Sequence, residues 1–196
     1  MDPKITITEA AKLLSLENQS VIKKIKNKDF AFKKSKNRMF FGHSTAKQLF
    51  SFSGNKCFVI SVQIVKGGTG KTALTLNLAV KFCLLGKKVA IIDLDQQANL
   101  TTHCCVDAET KPVMIDIIDG DSKIQDSMVA VCDGLDLLPS RIDNAVLDDT
   151  ILFKNLPLDR VYKKQIDLLK QYYDVVLIDC PPALGRSVGA AALSSD

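Results

Sequence analysis

Apolar positions recur along this chain at two different spacings, and the change falls near residue 56. In the first stretch Ala10, Ala11, Leu13 and Leu14 lie at helical intervals. They follow Thr6-Ile7-Thr8-Glu9, which reads as a capping box with Thr6 at the N-cap and Glu9 three residues on. A break at 15–18 leads to a second helical stretch through Val21, Ile22 and Ile25. Phe30-Ala31-Phe32 and Met39-Phe40-Phe41 then flank a polar run, 33–38, and predict a small hairpin with a basic tip. A short helix over 44–50 closes the unit. The turn-rich segment 51–56 predicts a boundary between a small domain, 1–52, and a larger one, 57–196.

Beyond the boundary the pattern becomes strand, loop, helix, strand. Residues 57–65 are a mostly apolar run ending at a glycine loop. The spacing predicts a helix over 72–85, with Gly86 as its stop, and a buried strand over 89–92 that ends at Asp93. Further strands are expected at 135–138 and 175–178, with helices around 123–131 and 158–172. Strands alternating with helices, and lacking the polar alternation of half-exposed sheets, predict an α/β fold with a parallel sheet.

Composition narrows the class. Of 196 residues, 46% are hydrophobic with mixed charge, as in a soluble, cored protein. No apolar run approaches the ~20 residues of a membrane helix, and the start lacks a signal-peptide core; a cytoplasmic protein with no membrane partner is expected. The six cysteines show no Cys-x-x-Cys spacing, which points to reduced packing thiols. The net charge of +4 is unevenly spread. Residues 1–56 hold 12 of the 26 Lys/Arg but 4 of the 22 Asp/Glu, leaving a mildly acidic remainder. A basic head on an acidic body is expected to meet a polyanion.

Lys66-Gly67-Gly68-Thr69-Gly70-Lys71-Thr72-Ala73 lies where a strand hands over to a helix. The P-loop pattern needs a first glycine at 65, which is Val65; Gly67 and Gly68 supply the side-chain-free turn instead. Free backbone N–H groups at the helix start are expected to face the phosphates of ATP. Lys71 is placed to neutralise the β- and γ-phosphates, and is expected to be exposed without nucleotide. The Thr72 hydroxyl is placed to join a Mg²⁺ shell. Val175-Val176-Leu177-Ile178-Asp179 is an apolar strand ending in a carboxylate that Mg²⁺ would balance.

With Lys66 before the paired glycines, the sequence resembles the ParA/MinD family of deviant Walker ATPases. Ile91-Ile92-Asp93-Leu94-Asp95-Gln96-Gln97 resembles that family's second motif, with Gln96 in place of the usual proline. Cys180-Pro181-Pro182-Ala183-Leu184-Gly185 and Leu137-Leu138-Pro139-Ser140 resemble two further family segments. The resemblance implies that Lys66 reaches the partner's phosphates across a nucleotide-sandwich homodimer. It implies that Asp93 orders the metal's water shell, that Asp95 positions the attacking water, and that Thr72 and Asp179 hold Mg²⁺. Family members continue well beyond the point where this chain stops, into further strands and much of the adenine pocket. The chain therefore reads as a fragment or a truncated gene product.

Residues 5–50 resemble the MerR-like winged helix-turn-helix, with Ser15 where the turn usually has glycine and Ile22 where a basic residue is usual. The resemblance implies DNA contact by Lys23, Lys24 and Lys26 on the second helix and by Lys33, Lys34, Lys36 and Arg38 on the wing. A protein-interaction module of the same fold is the other reading. Together these features imply a plasmid or chromosome partition ATPase, an ATP-dependent dimer that binds the nucleoid and whose slow hydrolysis a ParB-like partner stimulates. The alternative is a nucleotide-responsive transcriptional repressor in which hydrolysis is incidental.

Overall fold

The computed structural model describes residues 2–36, 38–51 and 56–196. The expected domain boundary therefore lies largely outside the described residues, at 52–55, as does Asn37 in the hairpin.

The head opens with β1 (Ile5–Thr6) and α1 (Ile7–Leu14), joined by the capping box the sequence predicts. The Thr6 hydroxyl accepts from the Glu9 N–H at 3.3 Å, and the Glu9 carboxylate accepts from the Thr6 N–H at 3.1 Å. Helix α1 ends at Ser15 in the left-handed conformation, φ +53°. That geometry disfavours any residue with a Cβ, which is why glycine is usual at such a turn. Helix α2 (Asn18–Asn27) follows, burying Val21 and Ile25 and exposing its lysines.

The hairpin is tighter than expected. Its strands are β2 (Lys33–Ser35) and β3 (Arg38–Phe41), so Lys33 and Lys34 lie in a strand, not at the tip. Here cross-strand pairing of Lys33 with Phe40 overrides the local aromatic signal of 30–32. Strand β1 adds to the free side of β3, and α3 (His43–Phe50) completes a core of Ile5, Ile7, Ala10, Val21, Ile25, Phe41 and Phe50.

The body begins with β4 (Phe58–Val62), α4 (Lys71–Leu84) and β5 (Val89–Asp93). Then come α5 (Asn99–His103), α6 (Met114–Asp119) and α7 (Ile124–Ser127). A hairpin of β6 (Val129–Cys132) and β7 (Leu135–Leu138) precedes a 3-10 turn, Ile142–Val146, and α8 (Leu147–Phe153). The chain continues through α9 (Lys163–Leu169), β8 (Val175–Asp179) and α10 (Arg186–Leu193). The sheet order is β4-β8-β5-β7-β6, parallel except at β6.

Two helical expectations change. The helix expected at 123–131 stops at Ser127, because Val129–Cys132 turns back through Asp133-Gly134 to pair with β7. Gly134, at φ +82°, supplies the left-handed turn residue of a two-residue hairpin loop. The helix expected over 158–172 is confined to α9, with turns on either side.

Alternate residues of the sheet face opposite layers. Ala90, Ile92, Val176 and Ile178 pack with α6, α8, α9 and α10, whereas Val89, Ile91, Val175 and Leu177 pack with α4 and α5. The head sits on the C-terminal end of α4. His43 Nδ1 lies 3.0 Å from the Cys83 carbonyl, and a Cβ on Gly86 would come within 2.4 Å of the Lys47 backbone. Gly86 also has φ +80° and follows the helix end, as the sequence predicts. All six cysteines are free.

Candidate nucleotide site

Strand order decides which side chains meet. Strand β8 lies between β4 and β5, so β5 does not return directly beside the glycine loop; it is one strand further away. In register, Val62 is level with Asp179, and Asp179 with Asp93. The carboxyl edge of the parallel sheet thus presents the glycine loop, Asp179 and Asp93 in a row, where ligands of open α/β sheets bind.

The loop leaves β4 and passes through Gly68 at φ +70° and Gly70 at φ +83°, conformations that a Cβ strains. Helix α4 then starts at Lys71 with no side-chain cap on its first N–H groups. Its N-terminus, carrying the positive end of the helix dipole, opens on a cleft of ≈ 600 Å³. Residues 67–73 and Asp95 line this cleft. Leu76, Asn77, Asn99 and His103 line it as well and carry no motif that would have singled them out; Pro182, of the 180–185 segment noted in the sequence, also lines it.

Asp179 is 1% exposed and held by two hydroxyls of α4. The Thr72 hydroxyl donates to its Oδ2 at 2.8 Å and the Thr75 hydroxyl lies 2.9 Å from its Oδ1. Burial raises the Asp179 pKa; the two threonines and the Lys71 charge work against that rise. Lys71 is not exposed as expected but 8% accessible, folded in at the helix start near Asp179 and Cys180. Thr75, one turn beyond Thr72 on the same helix face, is a site residue the sequence reading missed; the i, i+3 spacing of two threonines was its signal.

The second acidic motif divides into two roles. Asp93 is fully buried, and both its oxygens are occupied. Its Oδ1 accepts from the Asp95 N–H at 3.1 Å, and its Oδ2 from the Thr101 N–H at 3.0 Å and the Thr101 hydroxyl at 2.7 Å. Burial pushes its pKa up to about 7, with the Asp179 charge adding to the rise and these hydrogen bonds opposing it. The resemblance gives Asp93 a part in a metal's water shell; in this arrangement its three hydrogen bonds close the strand end and organise the following loop. Asp95, 7% exposed, turns that loop by accepting from the Gln97 N–H at 3.0 Å and lies on the cleft.

Lys66 is exposed and is not among the residues lining the cleft; its carbonyl accepts from the Thr69 hydroxyl at 3.2 Å. Among the described residues no three His, Cys, Asp or Glu side chains cluster to hold a metal unaided. Magnesium does not need such a cage. It takes one or two protein oxygens and completes its shell with water and phosphate oxygens, and Thr72 with Asp179 are hard oxygen donors of that kind.

A strand, a glycine turn and an uncapped helix start facing a threonine-bound carboxylate define a P-loop nucleoside-triphosphate-binding domain. Residues 57–196 match the family model AAA_31, described as an AAA domain, and the chain belongs to that family. It is 31% identical over 140 residues to the sporulation initiation inhibitor protein Soj of Bacillus subtilis, covering 70% of this chain and 55% of Soj. It is 35% identical over 136 residues to the virulence plasmid ParA family protein pGP5-D of Chlamydia psittaci, covering 67% of this chain and 51% of that protein. Cobyrinic acid a,c-diamide synthase of Mycobacterium smegmatis, solved with bound ADP and magnesium, superposes with a TM-score of 0.62 at 30% identity, covering 70% of this chain and 55% of the synthase. The chain thus spans about half the length of the curated relatives it matches.

Proposed function

We propose that this chain is an ATP-dependent partition switch of the ParA type, in which the body (57–196) binds ATP with Mg²⁺ and the head (1–52) binds DNA. The observation that carries the reading is the Thr72–Asp179 contact beneath the glycine loop, with Asp95 on the same cleft. Backbone N–H groups of residues 67–73 and the Lys71 ammonium hold the phosphates, Thr72 and Asp179 supply the metal's protein oxygens, and Asp95 orients the attacking water. Bound Mg²⁺ supplies charge neutralisation across the β- and γ-phosphates. Lys66, exposed at the rim, is free to reach the phosphates of a second copy in an ATP-bound homodimer. A ParB-like partner then completes the site and speeds an otherwise slow hydrolysis. The switch acts in the cytoplasm, on the nucleoid when ATP is bound; among the described residues no helix is long and apolar enough to cross a membrane.

The head is read as a MerR-like winged helix-turn-helix. Its two packed helices and short hairpin support this, as do the exposed positions of Lys23, Lys24, Lys26, Lys33, Lys34, Lys36 and Arg38. These cations are free to meet phosphates along one duplex.

Calorimetry with ATP and Mg²⁺ on the intact gene product tests the nucleotide site. Lys71→Ala is expected to weaken binding by about a hundredfold or more, the usual cost of leaving a buried charge unpaired. Unchanged affinity overturns the assignment.

A further inference from the structure

The loop, Lys71, Thr72, Asp95 and Asp179 have roles in the site. A second set of buried polar groups, reaching away from it, does not. The Thr101 oxygen that donates to Asp93 also accepts from the Ser140 N–H at 2.9 Å. The Ser140 hydroxyl accepts from the Asn144 amide at 2.8 Å, and the Asn144 carbonyl accepts from the Ile115 N–H at 3.1 Å. Thr101, Ser140 and Asn144 are 2%, 0% and 4% exposed. They come from three separate segments: α5, the end of β7 and the 3-10 turn. The Leu137–Ser140 segment, singled out in the sequence without a role, is where this line crosses the sheet edge.

Such a network is costly to build, because each buried polar group must find its partner, and an apolar set of the same volume fills a core as well. What it provides here is direction. Donors converge on Asp93 Oδ2, and Asp93 Oδ1 in turn accepts from the backbone of Asp95. A fully satisfied chain of this kind polarises and stiffens along its length.

We propose that Thr101 is a positioning residue for Asp95: anchored by Ser140 and Asn144, it locks Asp93, and Asp93 holds the Asp95 loop at the angle hydrolysis needs. This rests on the reading of Asp95 as the residue that orients water. Displacing such a group by a fraction of an ångström slows the chemical step while the phosphate contacts of α4 remain.

The test uses the intact gene product in three variants, Thr101→Val, Thr101→Ser and Asp95→Ala, measuring phosphate release at saturating ATP and ATP·Mg²⁺ affinity by calorimetry. Thr101→Val is expected to lower kcat by about tenfold to a hundredfold. Its ATP affinity should stay within about twofold of wild type, and Thr101→Ser should restore kcat. If the valine variant does not fold, Thr101→Ala removes the hydroxyl without setting a methyl against the Ser140 N–H, and the same kcat loss is expected. Wild-type kcat in a folded Thr101→Val or Thr101→Ala overturns the proposal, as does a parallel loss of kcat and affinity that serine does not rescue. Loss of release in Asp95→Ala alongside wild-type kcat in Thr101→Val sinks the positioning role alone. Wild-type release in Asp95→Ala sinks both.

Discussion

In the head, the cations of α2 and the hairpin stand in solvent, away from the apolar core that Val21, Ile25 and Phe41 build. In the body, the carboxylates at the carboxyl edge of the sheet are withdrawn from water: Asp93 is 0% exposed and held by one hydroxyl and two N–H groups, and Asp179 is 1% exposed and held by two hydroxyls. The two regions therefore use charge by different physics. Exposed lysines act at long range, are screened by salt and tolerate replacement one at a time. Buried carboxylates act through fixed geometry, and losing one partner leaves an unsatisfied group. Exposed cations suit a polyanion of indefinite position; buried, fixed carboxylates suit one ligand in one pose.

The largest expected effect lies in the head. Neutralising Lys33, Lys34, Lys36 and Arg38 together should flatten the slope of log K against log salt for duplex DNA by up to about four, at ~0.9 per phosphate contact. The intact protein should show this in fluorescence anisotropy across a salt series. An unchanged slope would mean that the head's cations do not meet DNA, leaving the protein-interaction reading of this fold.

In the body, salt should matter little and single hydroxyls much. Thr75→Val takes one donor from buried Asp179 and is expected to cost about 1–3 kcal/mol in urea unfolding of the nucleotide-free protein. A cost near zero would mean that Asp179 does not depend on α4 for its partners.

The pH response follows from Asp93. Its folded pKa, about 7, lies above the ordinary 3.8, so the folded state favours the protonated form. The stability this group contributes is complete below 3.8 and declines as pH rises through about 7. Asp179, also raised, acts in the same direction. Thermal midpoints without nucleotide should therefore fall more steeply over that window in wild type than in Asp93→Asn, which cannot ionise.

The smallest effect returns to the head. Ser15→Gly relieves a left-handed residue at the α1 turn and is expected to stabilise by about 1 kcal/mol. A loss of stability instead would mean that Ser15 makes a contact worth more than its strain.

What was legible in the sequence follows the same division. Local signals were readable: the Thr6–Glu9 capping box, the glycine loop before α4, the strand ends at Asp93 and Asp179 and the Gly86 stop all depend on neighbours a few residues away. Long-range pairings were not. Thr75 meets Asp179 across 104 residues, and Thr101 meets Ser140 across 39; the spacing from Thr72 places Thr75 on the same helix face but names no partner for it. The hairpin at 129–138 was missed although Asp133-Gly134 is a strong turn signal; the short apolar run Val129–Cys132 is ambiguous between helix and strand until its partner is known. The burial of Lys71 was unreadable for a related reason, since the strand end it lies near, at Asp179, arrives 108 positions later in the chain.

The claim on which the rest depends is that Asp95 serves hydrolysis and not nucleotide binding. Phosphate release and ATP·Mg²⁺ affinity measured together on purified Asp95→Ala, with the partner present, decide it most directly. Affinity at or above wild type with nearly complete loss of release is the expected result, because removing a water-orienting group spares the phosphate contacts of residues 67–73. Release at the wild-type level would reduce Asp95 to a loop-turning residue and contradict the switch as described.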